Sequence, residues 1–112
     1  MALQTSVPDD MDLSLFAAGS SDAPERAARF LKSLAHRDRL KVLCSLIDNE
    51  IPVTEIEAQV GISQSAVSQH LAKLKEEGVL QARRDGRQVF YSIADPMVLS
   101  IMRLLYGRFC GV

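Results

Sequence analysis

One stretch decides the fold of this chain: residues 61–77, which read Gly-Ile-Ser-Gln-Ser-Ala-Val-Ser-Gln-His-Leu-Ala-Lys-Leu-Lys-Glu-Glu. Its first three residues predict a tight turn that leads directly into a helix. Apolar residues then recur at i, i+4 and i+7 and form a single stripe, namely Val67, Leu71 and Leu74. This spacing predicts an amphipathic helix with one face packed against a core.

The other side of this helix carries short, uncharged side chains that form hydrogen bonds: Gln64, Ser65, Ser68 and Gln69. A face that is merely solvated normally carries Lys and Glu instead. Such side chains at the start of a helix suit an N-terminal end that enters the major groove of DNA. The alternative is an ordinary surface helix that Ser63 caps.

The residues before this helix predict a second, shorter one. Thr54 and Glu57 have the T-x-x-E spacing of a capping box, which predicts a helix at about 54–60. Gly61 is then a C-terminal glycine of the usual kind. A helix, a three-residue turn and a second helix together predict a helix-turn-helix.

Residues 79–93 change to a period of two, which predicts strands. Asp85-Gly86 lies between two such runs and is a strong hairpin signal. Arg83, Arg84 and Arg87 cluster around it. A hairpin with arginines at its tip, directly after a reading helix, predicts a wing that places Arg87 on phosphates or in the minor groove. The alternative is a solvated, charged turn.

Further helices are predicted at 11–18, from Pro24 to about Ala35, at 37–48 and at 96–110. The last is apolar over well more than half of its circumference, which one small domain cannot bury. It predicts a homodimer, with the last and N-terminal helices at the interface and two reading helices matched to a palindromic operator. The predicted fold is mainly α with a small β-hairpin: a winged helix-turn-helix of five to six helices and a two-stranded wing.

Length and composition agree with one small globular domain. The chain has 112 residues, and we expect a disordered tail at 1–10 and a DNA-binding and dimerisation domain at 11–112. The net charge of −1 is unevenly spread: residues 1–30 sum to −3 and residues 61–91 to +2. A local basic surface is what phosphate contacts require. No run spans a bilayer and no signal peptide is evident, so a cytoplasmic protein with reduced thiols and no membrane partner is expected.

Residues 34–93 resemble the ArsR-type winged-helix repressors of bacteria. The most specific matches are Ser63–Leu71 (SQSAVSQHL), Leu74–Leu80 (LKEEGVL) and the wing Arg84–Ile93 (RDGRQVFYSI), and Leu34–Leu40 (LAHRDRL) also fits. The resemblance implies a dimeric repressor in the bacterial cytoplasm that leaves double-stranded operator DNA when an effector binds.

The resemblance also shows which sensors are missing. Many family members bind metal through two cysteines before the recognition helix, and the matching positions here are Pro52 and Thr54. Others use His and carboxylates on the last helix, which here contains no His and has only Asp95 nearby. Neither metal site is supported, so no metal or cofactor is expected.

The remaining candidates for a sensor are Cys44 and Cys110. Their positions resemble those of the sulfide- and redox-responsive BigR/SqrR branch of the family. That resemblance implies that persulfide, polysulfide or an oxidant links the two thiols and thereby releases the operator. The link would be a direct disulfide, which needs Cα atoms about 4.4–6.8 Å apart, or a longer sulfur bridge, which relaxes that limit. Two alternatives stay open: a small buried hydrophobe at each position, or a pair of thiolates that senses a thiophilic metal such as As(III) or Cu(I).

Individual roles follow from side-chain chemistry. Gln64 and Gln69 suit the N6 and N7 groups of adenine, and Ser65 and Ser68 suit bases or phosphates. His70 is expected to meet a phosphate or to pack, and Tyr91 to reach the DNA backbone. The full predicted DNA-binding set is Ser63, Gln64, Ser65, Ser68, Gln69, His70, Lys73, Arg84, Arg87 and Tyr91.

Two other classes of function are less well supported. A thiol oxidoreductase needs C-x-x-C or a nucleophile with an activating base, and neither is present, so the chain is not expected to be an enzyme. A winged helix that binds only protein is disfavoured by the Gln/Ser helix face and the arginines of the wing.

Overall fold

The computed structural model describes residues 22–111. The predicted tail at 1–10 and the predicted helix at 11–18 lie outside this range. Within it the chain forms five helices and three strands: α1 (Ala23–Leu34), α2 (Arg37–Ser45), β1 (Ile51–Pro52), α3 (Val53–Val60), α4 (Gln64–Glu76), β2 (Leu80–Asp85), β3 (Gln88–Ile93) and α5 (Pro96–Phe109). The chain divides into two compact units after Lys32, so that most of α1 belongs to the first and all later elements belong to the second.

Helix α2 begins at a histidine cap and ends earlier than predicted. The Nδ1 atom of His36 accepts a hydrogen bond from the Asp38 amide at 3.1 Å, which satisfies one of the free N–H groups of the first turn. The predicted end at residue 48 is wrong, because the Leu46 N–H turns back to Leu43 and Asp48 has a φ of 60°. A left-handed residue cannot continue a right-handed helix.

Helices α3 and α4 form the predicted helix-turn-helix, but the predicted capping box is wrong. Helix α3 begins at Val53 with Pro52 as its N-cap, and no side chain caps it. Pro52 pairs with Phe90 of β3 as part of β1, so the chain is extended up to Pro52 and the helix starts directly after it. Thr54 consequently lies in the first turn. Gly61 ends α3 at a φ of 68°, as predicted.

The wing is confirmed, and a third strand adds to it. Strands β2 and β3 pair antiparallel, with Leu80 opposite Ile93 at one end and Asp85 opposite Gln88 at the other. Strand β1 pairs with the other edge of β3. With two residues, β1 is too short to show an alternating pattern. The hairpin loop is Gly86-Arg87, one residue beyond the predicted Asp85-Gly86, and Gly86 supplies the positive φ, 63°, that such a tight loop requires.

The core lies where α2, α3, α4 and α5 meet. Its most completely buried side chains come from all four helices: Val42, Leu43, Leu46, Ile56, Val67, Leu71, Leu74 and Val98. The apolar stripe of α4 is therefore confirmed as a core face. Because that stripe is fixed inward, the opposite, polar face of α4 must point outward. Among the helices in residues 22–111, none has the length and apolar character that a membrane span requires.

Candidate functional site

The predicted reading residues lie together on one exposed face at the start of α4. Ser63 is the N-cap, as expected, and its Oγ accepts a hydrogen bond from the Ala66 amide at 3.2 Å. The four side chains that follow on this polar face are exposed: Gln64, Ser65, Ser68 and Gln69. Within residues 22–111, no hydrogen bond occupies the side-chain amide of Gln64 or Gln69. Both amides are therefore free to bind a partner.

Lys73 lies one turn further along α4 and is exposed. Its Nζ atom is 3.6 Å from Glu76 and 3.9 Å from Glu77. Exposed pairs of this kind are weak and are screened by salt. A phosphate would therefore compete readily with these two carboxylates for the ammonium group.

His70 turns away from the polar face and toward the start of α2. Its ring centroid lies 4.9 Å from that of His36, and its Nδ1 is 3.4 Å from the Arg39 Nε. Partial burial, followed by the nearby charges of His36 and Arg39, lowers the pKa of His70. The imidazole is therefore neutral at neutral pH, and its Nδ1 carries the lone pair that accepts the Arg39 Nε–H.

The wing separates its arginines into two kinds. Arg84 and Arg87 are exposed, and among residues 22–111 neither has a carboxylate partner. Tyr91 is half-buried on the central strand, between Ile51 and Ala82. The structure thus leaves two guanidinium groups at the outer end of the hairpin free to meet an anion.

The third arginine holds the wing to the body of the domain. Arg83 makes a bidentate contact with Glu50 at 2.8 and 3.1 Å and lies 4.8 Å above the ring of Phe90. The Arg83 hydrogen bonds lower the pKa of Glu50, and the same bonds raise the pKa of Arg83. Glu50 was not predicted from the sequence, since it lies 33 residues from Arg83 and outside any motif. A bidentate arginine–carboxylate pair fixes orientation as well as distance.

Both cysteines line one pocket between α2 and α5, which we call the thiol pocket. Its volume is about 350 Å³, and most of the residues that line it beside the two thiols are apolar or aromatic: Leu40, Met102, Leu105, Tyr106 and Phe109. Arg37 and Lys41 also line it. Cys44 is partly buried, whereas Cys110 is exposed and is the C-cap residue of α5.

The environment of the thiol pocket separates the reactivities of the two thiols. Burial raises the pKa of Cys44, and the nearby Cys110 raises it further. At neutral pH, Cys44 is therefore mainly a protonated thiol, which is a poor nucleophile. Exposure makes Cys110 the easier thiol for a reagent in solution to reach.

Helix α5 leaves large apolar side chains exposed next to this pocket. Phe109 is 75% exposed and Met97 53% exposed, and Leu104 and Tyr106 are also open to solvent. In contrast, Val98 and Met102 of the same helix are buried in the core. The helix therefore carries more apolar side chains than a single chain buries.

Sequence comparison places the chain among bacterial regulators. Residues 36–82 match the family of bacterial regulatory proteins called the arsR family. The transcriptional activator HlyU of Vibrio cholerae is 39% identical over 85 residues, which cover 76% of this chain and 79% of HlyU. The biofilm growth-associated repressor of Xylella fastidiosa is 39% identical over 84 residues, which cover 75% of this chain and 74% of that protein.

Structural comparison gives the same result. The crystal structure of the transcriptional repressor BigR from Xylella fastidiosa superimposes with a TM-score of 0.77 at 34% identity, over 91% of this chain and all of BigR. These relatives are DNA-binding regulators, which confirms that the chain is a regulator and not an enzyme. The matched region also contains the helix-turn-helix with its exposed polar face. The chain is a member of the ArsR family of bacterial regulatory proteins, a DNA-binding transcriptional regulator with a winged helix-turn-helix fold.

Proposed function

We propose that the protein is a dimeric, cytoplasmic repressor that leaves a palindromic operator when reactive sulfur species or an oxidant links Cys44 to Cys110. The observation that supports the sensing half of this proposal is that both thiols, 66 positions apart in sequence, line a single apolar pocket. The observation that supports the DNA-binding half is the exposed polar face of α4 beside a wing with two free arginines.

The DNA contacts divide into those that specify sequence and those that position the protein. Gln64 and Gln69 present amides that match the N6 and N7 groups of adenine in the major groove. The hydroxyls of Ser63, Ser65 and Ser68 serve bases or phosphates, and Lys73, Arg84 and Arg87 serve phosphates or the minor groove. His70 and Tyr91, which are both partly buried, contribute at the margin of this surface.

The dimer rests on apolar side chains of α5 that a single chain leaves exposed. These are Met97 and Leu104 on one side of the helix, and Tyr106 and Phe109 near its C-terminal end. A two-fold axis near α5 would pair two copies of this helix and fix the separation of two α4 helices. A fixed separation is what a palindromic operator requires.

The sensing chemistry begins at the accessible thiol. The Cys110 thiolate attacks a sulfur of a polysulfide, one S–S bond breaks, and the shorter polysulfide leaves as an anion, so that Cys110 carries one or more added sulfur atoms. Cys44 then loses its proton to water and attacks. Attack on Sγ of a Cys110 persulfide expels HS⁻ and forms a disulfide. Attack on the middle sulfur of a longer chain expels HS⁻ and forms a trisulfide.

An oxidant gives the same end point by a different first step. A peroxide transfers one oxygen to the Cys110 thiolate and leaves as an alcohol or water, so that Cys110 becomes a sulfenic acid. The Cys44 thiolate then displaces hydroxide and forms a disulfide. Both routes end with a covalent link between α2 and the C-terminus of α5.

A link between the two cysteines would affect the position of α4 through the helices that pack between them. Helix α2 packs directly against α4, and α5 packs against α2. Pulling the end of α5 toward Cys44 strains both contacts, and it also acts on the proposed dimer face, which includes Phe109. A change of a few ångströms in the spacing of two reading helices removes their match to successive half-sites.

The decisive experiment treats the reduced protein with sodium tetrasulfide, with hydrogen peroxide and with As(III) or Cu(I), and measures intact mass and binding to an operator selected from random duplex DNA. We expect polysulfide to link the two cysteines within one chain and to release the operator. The link appears in the mass of the chain as a loss of two hydrogens, with or without an added sulfur. Cys44→Ser and Cys110→Ser should keep the operator under the same treatment.

Three outcomes would contradict the proposal. The first is equal release of DNA by the wild type and both serine variants, and the second is release by metal alone without any internal link. The third is binding to the selected operator as a monomer. Since the relatives include one named an activator and one named a repressor, a reporter gene placed behind the selected operator tests the sign of regulation.

A further inference from the structure

Two histidines and an aspartate from distant parts of the chain meet beside α4. His36 and Asp38 flank the start of α2, and His70 lies in the middle of α4. One potential ligand atom from each lies within 4.8 Å of those of the other two. In residues 22–111 no other three side chains of the types His, Cys, Asp or Glu come together in this way. No short motif links these residues, because His36 and His70 are 34 positions apart in the sequence.

The three side chains can supply metal ligands after a small rearrangement. In the neutral ring of His36, Nδ1 accepts the Asp38 amide proton and Nε2 carries the hydrogen, so a metal binds either Nδ1 in place of this hydrogen bond or Nε2 after a change of tautomer. The Asp38 side chain is only 19% exposed, which limits competition from water. Nδ1 of His70 carries the lone pair of that ring, since it accepts the Arg39 Nε–H at 3.4 Å.

The positive charges of Arg37 and Arg39 disfavour a cation at this cluster, but each side chain can move away or keep another contact. Arg37 contacts Asp38 through a long 3.4 Å pair while its own side chain is 82% exposed. Arg39 contacts His70 at 3.4 Å but also donates to the Ser33 carbonyl at 2.9 Å. Release of the longer Arg39 contact leaves the shorter one intact. The electrostatic cost is thus the displacement of two weak, partly solvated interactions.

We propose that His36, Asp38 and His70 form a site for a divalent transition-metal ion of the zinc class, with two imidazole nitrogens, one carboxylate oxygen and a water molecule as ligands. Imidazole and carboxylate together suit Zn²⁺, Co²⁺ and Ni²⁺. Bonds of about 2.0–2.2 Å to Zn²⁺ require the ligand atoms to draw closer than they are here. The exposed ring of His36 provides that movement.

A metal at this site would join the start of α2 to the recognition helix. His70 follows Gln69 directly, so an ion held by His70 fixes the part of α4 that carries the polar face. The site is separate from the thiol pocket, whose lining includes none of the three ligands. The two sites share no ligand, but Arg37 both lines the thiol pocket and pairs with Asp38.

The test uses the Cys44→Ser/Cys110→Ser protein without DNA, so that thiolates cannot supply the ligands. Titration with Co²⁺ should produce visible d–d absorption without the sulfur-to-metal charge-transfer band. His36→Asn is the sharpest variant, because asparagine preserves a good N-cap while it removes the imidazole. Asp38→Asn removes the carboxylate charge at nearly constant shape. Each should weaken Co²⁺ binding by about tenfold or more, since loss of even an outer partner costs 10–100-fold.

A thermal measurement guards against misfolding as an explanation. Without metal, both variants should unfold at nearly the parent temperature. Excess Zn²⁺ should raise the unfolding temperature of the parent but not that of the variants. The proposal is overturned if the folded thiol-free parent shows no Co²⁺ absorption, or if both variants bind Co²⁺ as tightly as the parent. Because no DNA is present, failure here leaves the proposed sulfur response untouched.

Discussion

The polar face of α4 and the thiol pocket use their side chains in opposite ways. On α4, uncharged polar groups project into solvent from a helix whose other face is fully buried. In the thiol pocket, two thiols lie among mainly apolar side chains contributed by two helices. The first arrangement needs a rigid backing so that several side chains keep fixed positions. The second needs a shared cavity, so that two groups far apart in sequence can meet.

Of these two kinds of site, only the polar face of a single helix can be predicted from local sequence. Residues 64–69 lie within two turns of one helix, so their spacing alone places them on one face. Cys44 and Cys110 have no such local relation, and their proximity depends on how α5 packs on α2. Substitutions in the core behind α4 should therefore have the largest effect, those at the proposed DNA contacts a smaller one, and those at the Glu50–Arg83 pair the smallest.

The largest effect is expected from Leu74→Ala, which removes the backing of α4. Leu74 is completely buried, and truncation of such a leucine costs about 2–5 kcal/mol because the lost contacts leave a cavity. Urea unfolding measures the loss. Ser68→Ala on the exposed face of the same helix is the matched control and should change stability by no more than about 0.5 kcal/mol. Similar losses in both variants would contradict the division of α4 into a core face and a solvent face.

Gln69→Ala should come next and should affect specificity more than overall binding. Loss of a bidentate contact to adenine reduces discrimination by about 1–3 kcal/mol. Competition between the selected operator and a version with single base changes measures it. The matched control is Gln59→Ala, the same substitution on α3, where the glutamine donates to Glu55 within the helix. A Gln69→Ala protein that still rejected every altered operator would place the reading contact elsewhere.

Arg87→Ala should weaken binding to all DNA by a similar factor. A lost phosphate contact carries no sequence information, and it should lower the dependence of log K on log salt by about one unit. Binding is measured for operator and random duplexes at several salt concentrations. Arg26→Ala changes the net charge equally at a residue outside the predicted DNA contacts. An unchanged salt slope for Arg87→Ala would remove the wing tip from the interface.

The smallest effect is expected from Glu50→Gln, which leaves both free arginines in place but weakens the anchor of the wing. DNA binding should fall less than with Arg87→Ala, because only the positioning of the hairpin changes. The pH dependence identifies the cause. The folded protein lowers the pKa of Glu50 below its ordinary 4.5, so the stability from this pair is present above that pH and is lost as pH falls through the folded pKa.

Comparison of the unfolding curves of the two proteins against pH tests this point. The wild type should exceed Glu50→Gln in stability near neutral pH, and the difference should disappear in acid. A difference that stays constant down to acidic pH would show that the substitution acts through something other than the charge of the pair.

Local chemistry accounts for the elements that the sequence predicted correctly. Val67, Leu71 and Leu74 lie one turn apart and are buried together, Gly61 adopts the positive φ that ends α3, and Ser63 caps α4. Each of these outcomes depends on residues within about one turn of one another. The family membership and the hairpin also follow from contiguous motifs.

Errors arose where a distant strand competed with a local signal. Thr54 and Glu57 have the spacing of a capping box, but the pairing of Ile51 and Pro52 with β3 sets the start of α3 one residue earlier. The third strand, β1, could not be predicted from local sequence, because two residues are too few to show an alternating pattern. The hairpin loop lies one residue later than its Asp-Gly signal because Asp85 still pairs with Gln88.

The sequence by itself determined the helix-turn-helix, the exposed polar face of α4 and the arginine wing, because short-range spacing decides which side of a helix or strand a residue occupies. Only the tertiary structure decided that Cys44 and Cys110 share a pocket, that Glu50 engages Arg83, and that His36, Asp38 and His70 converge. The physical reason is that such meetings depend on how whole elements pack. Packing is a sum of many contacts spread along the chain, and no single motif encodes it.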